Sequence, residues 1–207
     1  MPEYYPDLPD AEQSSRTGFL DTSRAEAEGA MMTHGDYYEV GYGTASYAKP
    51  ATLLVTLRNL LGEEVFNGAV ETYFQEWKFK HPSPWDFFAT IERAAGQDLD
   101  WFWSSWYYET WTLDHAVTDV VDGVDGPVVL IDDLGFIPMP THVRVVTTGA
   151  GVLELDVPVT HWLSGETRYE LELSESVGEV LEVRIDPDGL YPDIDRDNND
   201  WPVCTDC

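Results

Sequence analysis

The sequence predicts an α+β chain, helical first and built of antiparallel strands afterwards. Three observations point there. Between residues 45 and 110 apolar side chains recur at three- and four-residue spacing, the period of a helix. Beyond Leu113 they alternate with polar ones, the period of a half-buried strand. Turn pairs such as Asp122-Gly123, Asp125-Gly126, Ser164-Gly165 and Asp188-Gly189 punctuate that second part. The change of period is abrupt, without a low-complexity linker, so the two parts are expected to pack directly on each other.

Residues 1–44 show no sustained period. Pro, Asp, Ser and Gly are frequent, and tyrosines cluster at Tyr37, Tyr38 and Tyr42. An irregular, aromatic-rich segment is expected, with a short helix near Thr22–Met31, lying against something else. Tyr47, Ala51, Leu54, Leu57, Leu60 and Leu61 then mark one amphipathic helix that Gly62 ends. Val65, Phe66, Ala69, Val70, Tyr73, Phe74 and Trp77 mark a second. Ser83-Pro84 starts a third, with Ser as N-cap, Pro at the first helical position and Asp86 facing the helix dipole. Its buried face is Phe87, Phe88, Ile91 and Ala95, and Gly96 stops it. Asp98 opens a fourth helix carrying Leu99, Phe102, Trp103 and Trp106; helix–helix packing accounts for such aromatics more readily than ligand stacking does.

From residue 113 to 192 the chain reads as a small antiparallel β-sandwich. Its strands are the apolar run Val128–Ile131 and the alternating stretches 142–146, 152–157, 169–173 and Val180–Ile185. In the last, Leu181, Val183 and Ile185 are expected to share a face. Residues 193–207 are expected to form an acidic tail. No signal peptide is evident at the N-terminus, and no run is long and apolar enough to span a membrane.

Charge excludes one class of function. The chain carries 39 Asp and Glu against 11 Lys and Arg, a formal charge of -28. Nucleic acid is not an expected partner, because phosphate must be met by basic side chains. The acids are spread along the whole length. That fits adaptation to salt, and it fits a simply acidic protein. Cys204 and Cys207 have redox spacing, but no βαβ pattern precedes them and one pair cannot complete a zinc site. A frayed end with a local disulfide is the expectation.

The richest stretch is Trp77–Trp106, which holds five of the eight tryptophans. Trp77-Lys78-Phe79-Lys80-His81-Pro82-Ser83-Pro84-Trp85-Asp86-Phe87 leads into Asp98-Leu99-Asp100-Trp101-Phe102-Trp103-Ser104-Ser105-Trp106. Upstream lie Tyr47-Ala48-Lys49-Pro50 and Leu57-Arg58-Asn59-Leu60-Leu61-Gly62. In this order the series resembles the C-terminal part of the catalytic domain of gluzincin zinc aminopeptidases, peptidase family M1, over about residues 30–117. The resemblance implies the end of a thermolysin-like catalytic domain followed by a β domain. It implies zinc as cofactor of the intact enzyme and a peptide as substrate. The zinc ligands, the general-base glutamate and the loop that recognises the substrate's amino terminus have no counterpart here, so a missing N-terminal catalytic half is the expected partner. Many relatives are exported, and the localisation of this chain is left open. The alternatives are a non-catalytic binding or scaffold module, and a split enzyme with its zinc half on another chain.

One catalytic residue can be carried over. In the family a tyrosine in a Tyr-x-Lys-Gly setting hydrogen-bonds the oxyanion of the tetrahedral intermediate, and Tyr47 matches it, with Pro50 in place of Gly. The chemistry is sound, since a phenol of ordinary pKa near 10 stays protonated at neutral pH and can donate to developing negative charge. Read without the resemblance, Tyr47 is a tyrosine on a helix face. No metal ligand is assigned. His34, His81, His115, His142 and His161 are isolated, and none sits in His-Glu-x-x-His. His34 with Asp36 makes at most a weak metal pair, and His81 reads as structural. Asp186-Pro187-Asp188-Gly189 and Asp193–Asp200 suggest calcium by their alternating carboxylates. The twelfth loop position is Cys204 rather than Glu, however, and a solvated acidic turn is the expectation.

Overall fold

The computed structural model describes residues 10–202. Contacts divide the chain into two compact units, Met1–Thr110 and Trp111–Cys207.

The first unit is helical. Helix α1 (Ala11–Arg24) begins where Asp10 accepts hydrogen bonds from the backbone N–H groups of Glu12 and Gln13, at 3.0 and 3.3 Å. It buries only Phe19 and Leu20, too narrow a stripe to show as periodicity. The expected helix at Thr22–Met31 is therefore displaced toward the N-terminus. The chain turns out of helix at Glu26, whose φ is +54°. A π-helical turn, Thr44–Ala48, leads into α2 (Lys49–Leu61), which ends at Gly62 with φ +80°. Helices α3 (Glu63–Trp77), α4 (Pro84–Ala95) and α5 (Asp100–Tyr108) complete the unit.

The start of α4 is a complete capping box. The Ser83 hydroxyl accepts from the Asp86 N–H, and the Asp86 carboxylate accepts from the Ser83 N–H at 2.8 Å. Those bonds hold the Asp86 carboxyl below its ordinary pKa, chiefly through the Ser83 hydroxyl. Leu53 and Leu57 of α2, Ile91 of α4 and Phe102 and Trp106 of α5 are fully buried. Trp103 stacks on Phe88 with ring centroids 4.5 Å apart. One Glu92 oxygen accepts from Trp103 Nε1 and from the Leu99 N–H, both at 3.0 Å, which ties α4 to the start of α5.

The second unit holds two antiparallel sheets. One has the order β1 (His115–Asp122), β2 (Pro127–Asp133), β5 (Arg168–Glu172). The other runs β4 (Gly151–Val157), β3 (Thr141–Thr147), β6 (Val180–Ile185), β7 (Asp200–Trp201). Val129, Ile131, Val143, Val145, Val157, Val183 and Ile185 form its core. A short helix, α6 (Val159–Leu163), adds Trp162, whose Nε1 donates to Thr141 Oγ1 at 3.1 Å.

Three expectations are corrected here. Leu181 does not share a face with Val183 and Ile185; it is 49% exposed. Thr147 pairs with Val180 and Val146 with Glu182, so Leu181 is an extra residue in the ladder. Such a bulge reverses the alternation on either side of it. Residues 193–202 are not a tail, and the acidic turn is not simply solvated. Asp193 is buried and accepts from the His115 N–H and from Asn199 Nδ2, at 3.1 and 3.2 Å. Asp186, also buried, accepts from Arg196 and from the Leu190 and Tyr191 N–H groups. Asp200 and Trp201 pair with Arg184 and Val183. Cys204 and Cys207 lie outside the described residues.

Candidate active site

Tyr47 lies in the π-helical turn, and its side chain is 72% exposed. The turn is one residue wider than an α turn: the Lys49 N–H donates to the Thr44 carbonyl, five residues back. Its entry is fixed by Gly41. There φ is +75°, and a side chain would meet the Ala27 carbonyl oxygen and the Gly29 nitrogen at 2.6 Å. Backbone against backbone leaves room for glycine alone. Thr44 Oγ1 also donates to Thr22 Oγ1 of α1, at 3.0 Å.

Two residues on from Tyr47, Lys49 is fully buried at 0% exposure, against the habit of lysine. Burial of a charge demands a partner. Lys49 Nζ donates to Glu28 Oε1 and, at 3.1 Å, to the Glu109 carbonyl just beyond α5. The Glu28 side chain is 3% exposed, and its second oxygen is buried without a partner among the described residues. The Phe19 ring lies 5.6 Å from the ammonium. Burial pulls the Lys49 pKa down, and the Glu28 carboxylate works against that. Sequence reasoning does not single out Glu28. A buried lysine calls for an acid, but with 39 candidates the sequence does not say which.

The histidines do not converge. His34 Nδ1 accepts from the Asp36 N–H at 3.2 Å and so caps a local turn. His81 is exposed in the loop before α4. His115 is buried against Trp162, its Nδ1 3.0 Å from Thr141 Oγ1, and burial pushes its pKa down to about 3. His142 lies between Asp156 and Glu154, and His161 Nε2 donates to the Arg168 carbonyl. A catalytic zinc takes three protein donors around one point, usually with histidine among them. Among the described residues the one group of three candidate donors is Glu92, Asp98 and Asp100, carboxylates only, within 4.8 Å of one another. Glu92 is already engaged by α5. The described residues therefore do not fit a catalytic zinc centre. In the second unit Arg196 occupies the acidic turns, donating to Asp186 Oδ2 at 2.9 Å and to the Asp186 carbonyl at 2.7 Å.

Residues 11–106 match the model of the peptidase family M1 domain. The helical segment is similar to that family, over a little under half of the chain. Leucine aminopeptidase 2 of Emericella nidulans is 29% identical over 160 residues, covering 70% of this chain and 25% of that protein. The probable aminopeptidase 1 of Sulfurisphaera tokodaii is 32% identical over 65 residues, 31% of this chain and 8% of that protein. The structure of Legionella pneumophila aminopeptidase A in complex with aspartic acid matches with a TM-score of 0.57 at 18% identity. It covers 89% of this chain and 24% of that one, and speaks for the fold alone. The chain spans about a quarter of the length of the leucine aminopeptidases it matches. The M1 match takes in Tyr47, Lys49, Glu28 and the tryptophan-rich stretch together.

Proposed function

We propose that this chain supplies the oxyanion-binding tyrosine and its helical backing to an aminopeptidase-type zinc metallopeptidase. The supporting observation is Tyr47 itself, held outward by a π-helical turn inside the segment that matches family M1. The substrate class is a peptide. The zinc ligands and the general-base glutamate belong, in this reading, to a separate lobe carrying His-Glu-x-x-His. Tyr47 donates its phenolic proton in a hydrogen bond to the oxygen that gains charge as the carbonyl becomes tetrahedral. That bond strengthens as the charge develops, so it stabilises the transition state more than the bound substrate.

The test joins the chain to such a lobe, fused or in trans, and monitors hydrolysis of an aminoacyl anilide. Tyr47→Phe should keep the fold, because the residue is 72% exposed, and should lower kcat ~100-fold or more with little change in KM. His34→Ala and His81→Ala should leave kcat within a small factor. Near-full activity in Tyr47→Phe would remove the catalytic assignment. The other reading, a binding or scaffold module kept from the family, is distinguished by the same test. It predicts that no lobe restores hydrolysis.

A further inference from the structure

We infer that the buried Lys49–Glu28 pair is a positioning device for Tyr47, holding the turn at residues 44–48 in its wide π-helical form. The inference rests on Tyr47 being the oxyanion donor. A buried ion pair is weak evidence of stabilisation by itself, because desolvating two charges offsets much of their attraction. Such pairs serve better to specify one arrangement among several, and here the alternative is concrete. A π turn carries one residue more than an α turn. Were it to relax into regular helix, Tyr47 would swing about 100° around the axis, since each residue advances an α-helix by that angle. The phenol would then face a different direction with the helix intact.

Resistance to this relaxation converges on Lys49. Its backbone N–H closes the wide turn onto Thr44, and its side chain anchors the same residue to Glu28 and to the Glu109 carbonyl. Glu28 is in turn fixed. The backbone on either side of it meets Gly41 at the entry to the turn, and Met32 of the same loop donates its N–H to the Tyr107 carbonyl at 3.1 Å. The loop, the end of α5 and the start of α2 are thus tied at one ammonium. Glu28 and Lys49 are positioning residues, since neither is placed against substrate.

The test has two readouts on Glu28→Gln, Lys49→Met and the double variant Lys49→Met with Glu28→Leu. The first is hydrogen exchange on the whole 207-residue chain. Each single variant should speed exchange of amides 45–49 at least ~10-fold while α3 and α4 stay within about threefold, because the change is local. The double variant removes the buried charges, so it should recover the melting temperature without recovering protection of the turn. The second readout is kinetic, on the chain joined to a zinc lobe. Glu28→Gln should lower kcat at least ~10-fold with KM within about threefold, because the misplaced donor matters in the transition state. Unchanged exchange at 45–49, loss of protection spread evenly over the helical unit, or recovery of the turn in the double variant would overturn the inference. So would an unchanged kcat in Glu28→Gln when Tyr47→Phe is impaired. If Tyr47→Phe is itself fully active, the catalytic reading fails, and the exchange data still decide whether the pair holds the turn.

Discussion

Tyr47 and Lys49 are neighbours in sequence that stand in opposite environments, and the contrast shows how much single residues disclose. Tyr47 is legible only through the ordered series of motifs downstream of it, because a tyrosine near a lysine is common. Lys49 reads from sequence as solvated, and the partner that buries it lies 21 residues away. His142 is a third case, with a consequence for pH. On the outer face of β3 its Nδ1 lies 2.8 Å from Asp156 and its Nε2 3.0 Å from Glu154, which Arg144 also holds at 2.7 Å. Asp156 chiefly, and Glu154 with it, raise the His142 pKa against a smaller desolvation. A base whose folded pKa is raised adds stability below its unfolded value, about 6.5, and loses it as pH rises through the folded value. His115 has the opposite sign. Held neutral by burial, it adds stability above about 6.5 that is lost as pH falls toward its folded pKa. His142→Gln separates the two. Its melting temperature should fall below wild type near pH 6, and the gap should close as the pH rises through the raised folded pKa of the wild-type imidazole. A gap independent of pH would mean that His142 acts through packing alone.

Elements are readable where local chemistry sets them. The capping box at Ser83 and the left-handed glycine at Gly96, φ +67°, come from residue type and bracket α4 closely. Helix α1 escapes a reading of the sequence because its signal is one capping aspartate and two apolar residues. Strand β1 escapes it for another reason. Its ladder slips between Val117 and Asp119, so a bulge breaks the alternation that would have announced it. The same device hides the true face of Leu181 in β6, and it yields a sharp contrast between neighbours. Ile185→Ala opens a cavity in the core and should cost about 2–5 kcal/mol. Leu181→Glu, in a strand of the same apolar character, should stay within about 0.5 kcal/mol because the bulge turns Leu181 to solvent. Urea unfolding of both variants measures this. If Leu181→Glu proves as damaging as Ile185→Ala, the ladder runs straight and the bulge is absent.

For the whole molecule, charge is the property that sequence discloses best and that structure only partly offsets. Among the described residues Arg58, Arg93, Arg144, Arg168 and Arg184 are each paired with a carboxylate at the surface. Exposed pairs of this kind contribute about 0–1 kcal/mol apiece and are weakened by salt. Against them stands a formal charge of -28, carried by carboxylates along the whole chain. Salt therefore acts in two directions, and their reach decides between them. An ion pair acts at contact, where screening is least complete. Repulsion among unpaired acids acts over longer distances, which the Debye length crosses as it falls from ~30 Å at 0.01 M to ~3 Å at 1 M salt. Repulsion should be lost first and most. The melting temperature should rise with sodium chloride, steeply below about 0.1 M, where the Debye length shrinks through ~10 Å, and more gently above. Lys49 and Glu28, shielded from solvent, should not share in this, so Glu28→Gln should shift the curve without changing its slope. A flat or falling series in the wild type would show that the paired arginines, rather than the excess of acids, govern how this protein responds to salt.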